Sequence, residues 1–159
     1  MTAPARIGAL ALMVLVLPAW QEVAEIREVT YLLGGLMSGP YRVSADLRAG
    51  VVSEAKPPEG KRGDGAGLNA GTMPATRTRP LPPTDAAHLQ ALAASVWRNG
   101  AVIPRCLPSV DALVRFHMVQ AGASRDFDVS TICMNADAKA LQRALLCAVA
   151  VEATGCPPG

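Results

Sequence analysis

The sequence predicts an α+β fold of two layers, a four-stranded antiparallel sheet covered on one face by two helices. Three observations carry the prediction. The stretch Val110–Cys133 contains two runs of alternating apolar and polar residues separated by a short polar turn, as a half-buried hairpin requires. The stretch Glu25–Leu47 repeats that arrangement around Gly34-Gly35-Leu36-Met37-Ser38-Gly39-Pro40. Two segments with helical apolar spacing follow, one before and one after the Val110–Cys133 hairpin. A sheet with one apolar face needs a cover, and two amphipathic helices supply it. At 159 residues the chain has room for one domain. Half of it is apolar and 18% charged, so a packed core is expected.

In order, the chain begins with the layout of a secretory signal over residues 1–19. Arg6 supplies the positive start, Ile7–Leu17 the apolar run, and Pro18-Ala19 a small-residue cleavage site. The apolar run is short of the roughly 20 residues that span a bilayer. Residues 20–159 are then expected to form one exported domain, secreted or periplasmic, without stable membrane insertion after cleavage.

The first hairpin places Val29, Tyr31 and Leu33 on one face of its first strand and Tyr41, Val43, Ala45 and Leu47 on one face of its second. Leu36 and Met37 fall at the tip of its turn, where they serve either as a contact surface or as a lid folded over the core edge. Val51-Val52 either prolongs the second strand or starts a short return. The stretch 56–83 is crowded with proline and glycine and has no regular period, which predicts a long flexible loop.

The first helix is expected to open at Thr84 as N-cap, with Asp85 in the first turn. Leu89, Leu92, Ala93, Val96 and Trp97 form its apolar face, and Asn99-Gly100 ends it. In the hairpin that follows, Val114, Phe116 and Met118 share one face, as do Phe127, Val129, Thr131 and Cys133, across a turn of about five residues at Gln120–Ser124. The second helix has Asn135 as its cap, Asp137 in its first turn, an apolar face of Leu141, Ala144, Leu145, Ala148 and Val149, and Gly155 as its stop. The uncovered sheet face then carries Arg42, Ser44, Asp46, Arg115, His117, Asp126 and Asp128.

Four cysteines in an exported chain imply two disulfides. Cys106 precedes one strand of the hairpin and Cys133 ends the other, so their ends meet. Cys147 and Cys156 flank the expected reversal at Gly155. The pairing expected is therefore Cys106–Cys133 and Cys147–Cys156. No Cys-x-x-Cys pair exists, and His88 and His117 have no partner at ligand spacing, so neither a metal site nor a cofactor is expected.

A net charge of +2 is too small to argue for nucleic acid, and the six aromatic residues are scattered rather than gathered into a stacking platform. His117 lies near Asp126 or Asp128 across the hairpin. Such a pair resembles part of a catalytic site and equally an ordinary cross-strand contact. No serine sits in a nucleophile elbow. The glycines of residues 60–67 lack the Ser or Thr of a phosphate loop. Arg62-Gly63-Asp64 is a three-residue match of the length that arises by chance.

The order of Val29–Leu33, Gly34-Gly35, Tyr41–Leu47, Pro82-Pro83-Thr84 opening a helix, and then hairpin and helix resembles emfourin over about residues 25–150. The resemblance implies an inhibitor of thermolysin-type metalloproteases. The 56–83 insertion, the cysteines and the export signal depart from it, and no inhibitory residue carries over by position. The expectation is a non-enzymatic exported domain that binds a protein, a protease among the candidates, with Leu36 and Met37 as its contact. A small exported enzyme or a structural envelope protein is the alternative.

Overall fold

In the computed structural model, described over residues 25–34, 40–56, 77–108, 112–150 and 156, the sheet has six strands rather than four. The strands are β1 (Ile26–Gly34), β2 (Tyr41–Asp46), β3 (Val51–Ala55), β4 (Arg77–Pro80), β5 (Leu113–Gln120) and β6 (Ala123–Ser130). Their order is β4-β3-β2-β1-β5-β6, with every neighbouring pair antiparallel. The helices are α1 (Pro83–Asn99) and α2 (Ala136–Val149). The α+β class, the two helices and the antiparallel sheet are as the sequence predicts.

Two corrections to the strand count have one cause. Val51–Ala55 is a return strand, and the last residues of the expected 56–83 loop form β4. Arg77-Thr78-Arg79-Pro80 carries no apolar pattern, so its pairing with Val51–Glu54 is a matter of backbone hydrogen bonds. Pro80 at its end suits an edge position, where a missing N–H does no harm.

One face of the sheet is buried under the helices. Val29, Tyr31, Val43, Ala45, Val52, Val114, Phe116 and Met118 point into that layer and are almost fully buried. Ile26 joins them through a bulge at Arg27, which inserts one residue against β5 and returns Ile26 to the core side. Helix α1 lies against β1, α2 lies against β2 and β3, and the two helices touch one another. Leu89, Ala93 and Val96 of α1 and Ala138, Leu141 and Leu145 of α2 close the core.

Local details refine four expectations. Helix α1 is capped by Pro82, with Pro83 as its first residue and no side-chain cap, so Thr84 lies inside the first turn. Proline is suited to this position because its φ is preset and its lost N–H would have no helical partner. Asn135 caps α2 as expected, its Oδ1 accepting from the Ala138 N–H at 2.9 Å. That helix stops at Val149 with Ala150 in extended backbone, and Gly155 lies outside the described residues. The β5–β6 turn is two residues, Ala121-Gly122, with Gly122 at φ +78°, which glycine adopts freely. β6 ends at Ser130, and Thr131–Cys133 form a 3-10 turn instead of extending the strand. The signal expected over residues 1–19, residues 57–76 of the expected loop, and Leu36 and Met37 all lie outside the described residues.

Candidate functional site

Two regions bring together side chains that folding alone leaves exposed. The first is the uncovered sheet face. The strand registers place Thr78, Ser53, Ser44, Thr30, His117 and Asp126 opposite one another in sequence, a polar row across all six strands. Thr30 Oγ1 and Ser44 Oγ lie 3.0 Å apart, and His117 Nδ1 lies 2.6 Å from Asp126 Oδ1. The row beside it pairs Arg115 with Asp128 through two parallel bonds, Nε to Oδ1 at 2.6 Å and Nη2 to Oδ2 at 2.7 Å. So His117 meets Asp126, while Asp128 belongs to Arg115. A shallow hollow of about 220 Å³ lies on the same face, walled by Glu28, Thr30, Ser44, Asp46, Val51 and Ser53.

Chemically, this face is a set of satisfied pairs. Thr30 is opposite His117, yet its hydroxyl bonds to Ser44, and His117 is half exposed beside Asp126. Among the described residues no group of three or more His, Cys, Asp or Glu could hold a metal ion. His88 is exposed on α1. The four cysteines are joined as Cys106–Cys133 and Cys147–Cys156, with Cα separations of 5.6 Å in both, which is the expected pairing. No helix among the described residues is long and apolar enough to cross a membrane.

The Arg115–Asp128 pair carries a pH prediction. The hydrogen bonds from Arg115 hold the Asp128 carboxyl below its ordinary value of 3.8. A depressed carboxylate contributes stability that is present above the unfolded-state pKa and is lost as pH falls through the folded-state value. The pair is partly open to water, so the contribution is small, below about 1 kcal/mol. Asp128→Asn should therefore lower the urea midpoint slightly at pH 7, and the gap from wild type should close between pH 4 and pH 2. A gap that persists unchanged at pH 2 would show that the carboxylate charge is not what matters.

The second region surrounds the Cys106–Cys133 disulfide. The large apolar side chains that stand exposed among the described residues are Val102, Ile103, Leu107, Leu113 and Ile132. All five belong to backbone tied to this disulfide. Val102 bridges to Met134, and the Ile103 N–H donates to the Cys133 carbonyl at 2.8 Å. Ile132 and Leu107 flank the two cysteines in sequence, and the Thr131 N–H donates to the Ala112 carbonyl beside Leu113 at 3.1 Å. Leu107 is 86% exposed and Ile132 59%, far beyond what a core-edge residue shows. Leu113 also pairs with Gly34, the last residue of β1.

Sequence reasoning passed over this apolar collar because Ala101–Ser109 reads as a proline-containing linker. The available signal was its composition. Val102, Ile103 and Leu107 are interleaved with Pro104, Cys106 and Pro108, so the segment can neither enter the sheet nor pack as a helix.

The fold and these surfaces define a disulfide-stapled α+β domain with one covered and one open sheet face. A scan of the sequence against protein-family models finds no match, and a search of curated proteins finds none either.

Proposed function

We propose that this chain is an exported, non-enzymatic domain that binds another protein, and that the contact is centred on the collar around Cys106–Cys133. The observation that carries the reading is the gathering of Val102, Ile103, Leu107, Leu113 and Ile132 at one disulfide-bound end of the sheet. Apolar side chains concentrated on one part of a folded surface mark interaction sites, whereas scattered ones do not. Two disulfides suit an oxidising compartment outside the cytosol, in keeping with the signal that the sequence of residues 1–19 leads one to expect. The resemblance to emfourin suggests a thermolysin-type metalloprotease as one form the partner takes. Leu36 and Met37 follow closely in sequence on Gly34, which pairs with Leu113, and the proposal includes them in the contact on that ground.

The test is a titration of the purified, oxidised domain against thermolysin-type metalloproteases, read as turnover of a fluorogenic peptide. A stoichiometric fall in turnover, weakened by the double change Ile103→Ser with Ile132→Ser, is the expected result for an inhibitor. Full turnover at a large excess of domain removes the protease from the proposal. The wider reading is then tested by cross-linking in the periplasm or culture supernatant of the native host. Failure to form any cross-link from the collar or the open sheet face would overturn it.

A further inference from the structure

The collar has a charged centre. Ile103-Pro104-Arg105-Cys106 is a β-turn closed by the Cys106 N–H donating to the Ile103 carbonyl at 3.2 Å. Proline in second place and a positive φ in third are the marks of a type II turn, whose third position favours glycine or asparagine. Here Arg105 occupies it at φ 63°, the only non-glycine residue with positive φ among the described residues. Glycine would hold this turn with less strain. The Arg105 side chain is exposed and forms no ion pair among the described residues. Among the described residues, then, no ion pair accounts for arginine at a position that glycine would fill with less strain. Strained backbone of this kind persists where the surroundings over-determine it, and it concentrates at ligand clamps and similar sites.

The surroundings do over-determine it. On one side the chain is fixed by the Val102–Met134 bridge and by the Ile103 N–H on Cys133, and further back by the Asn135 N–H on the Ala101 carbonyl at 2.9 Å. On the other side Cys106 is bonded to Cys133. A turn braced at both ends gives up little freedom when it binds. Along the chain its exposed Arg105 stands between the exposed apolar residues Ile103 and Leu107.

Resting on the protein-binding reading above, we propose that Arg105 is the anchor of the contact and that the partner protein receives it in an apolar-walled pocket whose floor carries a carboxylate. Guanidinium and carboxylate match as paired donors and acceptors, and the match is strongest where the apolar rim excludes water. A lipid surface suits the turn less well. Peripheral attachment to anionic lipid draws on several cations and does not need a fixed shape, whereas this turn offers one cation in a braced geometry.

The experiment uses the full chain in its native host, with Leu107 replaced by the photo-cross-linker p-benzoylphenylalanine, alone and combined with Arg105→Gly or Arg105→Glu. A second chain carries the cross-linker at Ser44 on the open sheet face. The expected result is a protein cross-linked from position 107 whose yield falls at least tenfold with Arg105→Gly and with Arg105→Glu. The isolated Arg105→Gly domain should meanwhile melt no lower than wild type, because glycine relieves the turn. A structural role for Arg105 would move both readouts in the same direction. Exchange of an Asp or Glu in the cross-linked region of the partner for Arg should restore capture by the Arg105→Glu chain. Cross-linking from position 107 that is indifferent to Arg105, or a failed charge exchange, overturns the anchor and leaves the protein-binding reading standing. No protein cross-linked from either position overturns both. Sedimentation of the purified domain with phosphatidylglycerol vesicles, lost on Arg105→Gly, overturns the pocket in favour of a lipid surface.

Discussion

Phe116→Ala should destabilise the domain by about 3–5 kcal/mol, the range for removing a large aromatic side chain from a packed core. Phe116 is fully buried, and its ring lies 5.7 Å from that of Tyr31 on the neighbouring strand. The register pairs these residues directly across β1 and β5, so the two rings form one block between the sheet and the helices. Aromatic residues are only 4% of the chain, and the surrounding core is mostly alanine, valine and leucine, which cannot swing in to refill the space. The Tyr31 hydroxyl accepts from Gln142 Nε2 of α2 at 2.7 Å, so losing Phe116 also loosens a strand-to-helix link. Guanidinium denaturation followed by circular dichroism measures the cost. Domains of this kind have roughly 5–15 kcal/mol in total, so the variant should unfold at a much lower denaturant concentration with an unchanged slope. A loss below about 1 kcal/mol would mean that the site collapses around the cavity, contrary to the packing described.

Removal of the Cys106–Cys133 bridge, by Cys106→Ala with Cys133→Ala, ranks second. It closes a loop with a sequence separation of 27, against 9 for Cys147–Cys156. Restriction of the unfolded chain grows with loop length, giving about 3–4 kcal/mol for the longer loop and nearer 2.5 for the shorter. The two double variants should therefore melt in that order below wild type, as thermal unfolding without reductant will show. The reverse order would mean that contacts in the native state, and not loop length, govern the two bridges. The Cys106 pair should also release the 101–108 segment while the rest of the domain stays folded. Faster amide exchange at Ile103 and Cys106, beyond any global change, would report that release.

The helices and the central hairpin were legible because their signals are local. Asn135 with Asp137 marks one helix start, Gly100 one helix end, and the alternation of Val114, Phe116 and Met118 survives intact as a buried face. Strands β3 and β4 were not legible for a different reason. β3 has five residues, and Val52 and Ala55 face opposite sides of it. β4 exists through its ladder to β3 and through Arg79, whose Nη1 donates to the Ala150 carbonyl at 3.0 Å. Neither relation can be read from four residues in isolation. Whether His117 meets Asp126 or Asp128 turned on the length of one turn. Two residues at Ala121-Gly122 put His117 opposite Asp126, whereas a five-residue turn at Gln120–Ser124 would pair Val119 with Arg125 and set His117 opposite Phe127. The collar was the least legible part. Apolar residues in a chain read one window at a time are assigned to the core, and their exposure depends on a disulfide partner 27 residues away.

Among the described residues, strand β6 is the outermost on its side of the sheet and is eight residues long, the kind of edge that templates pairing with another chain. Its exposed open-face residues are Ser124, Asp126 and Asp128. In a two-fold arrangement of two copies side by side, a register centred on Phe127 sets Asp126 against Asp128 twice. A register centred on Asp126 sets that residue against itself, and one centred on Asp128 does the same there. Like charges directly opposed across strands are unfavourable. The acidic pair thus weighs against fibre-like extension of the sheet from one copy of this chain to the next.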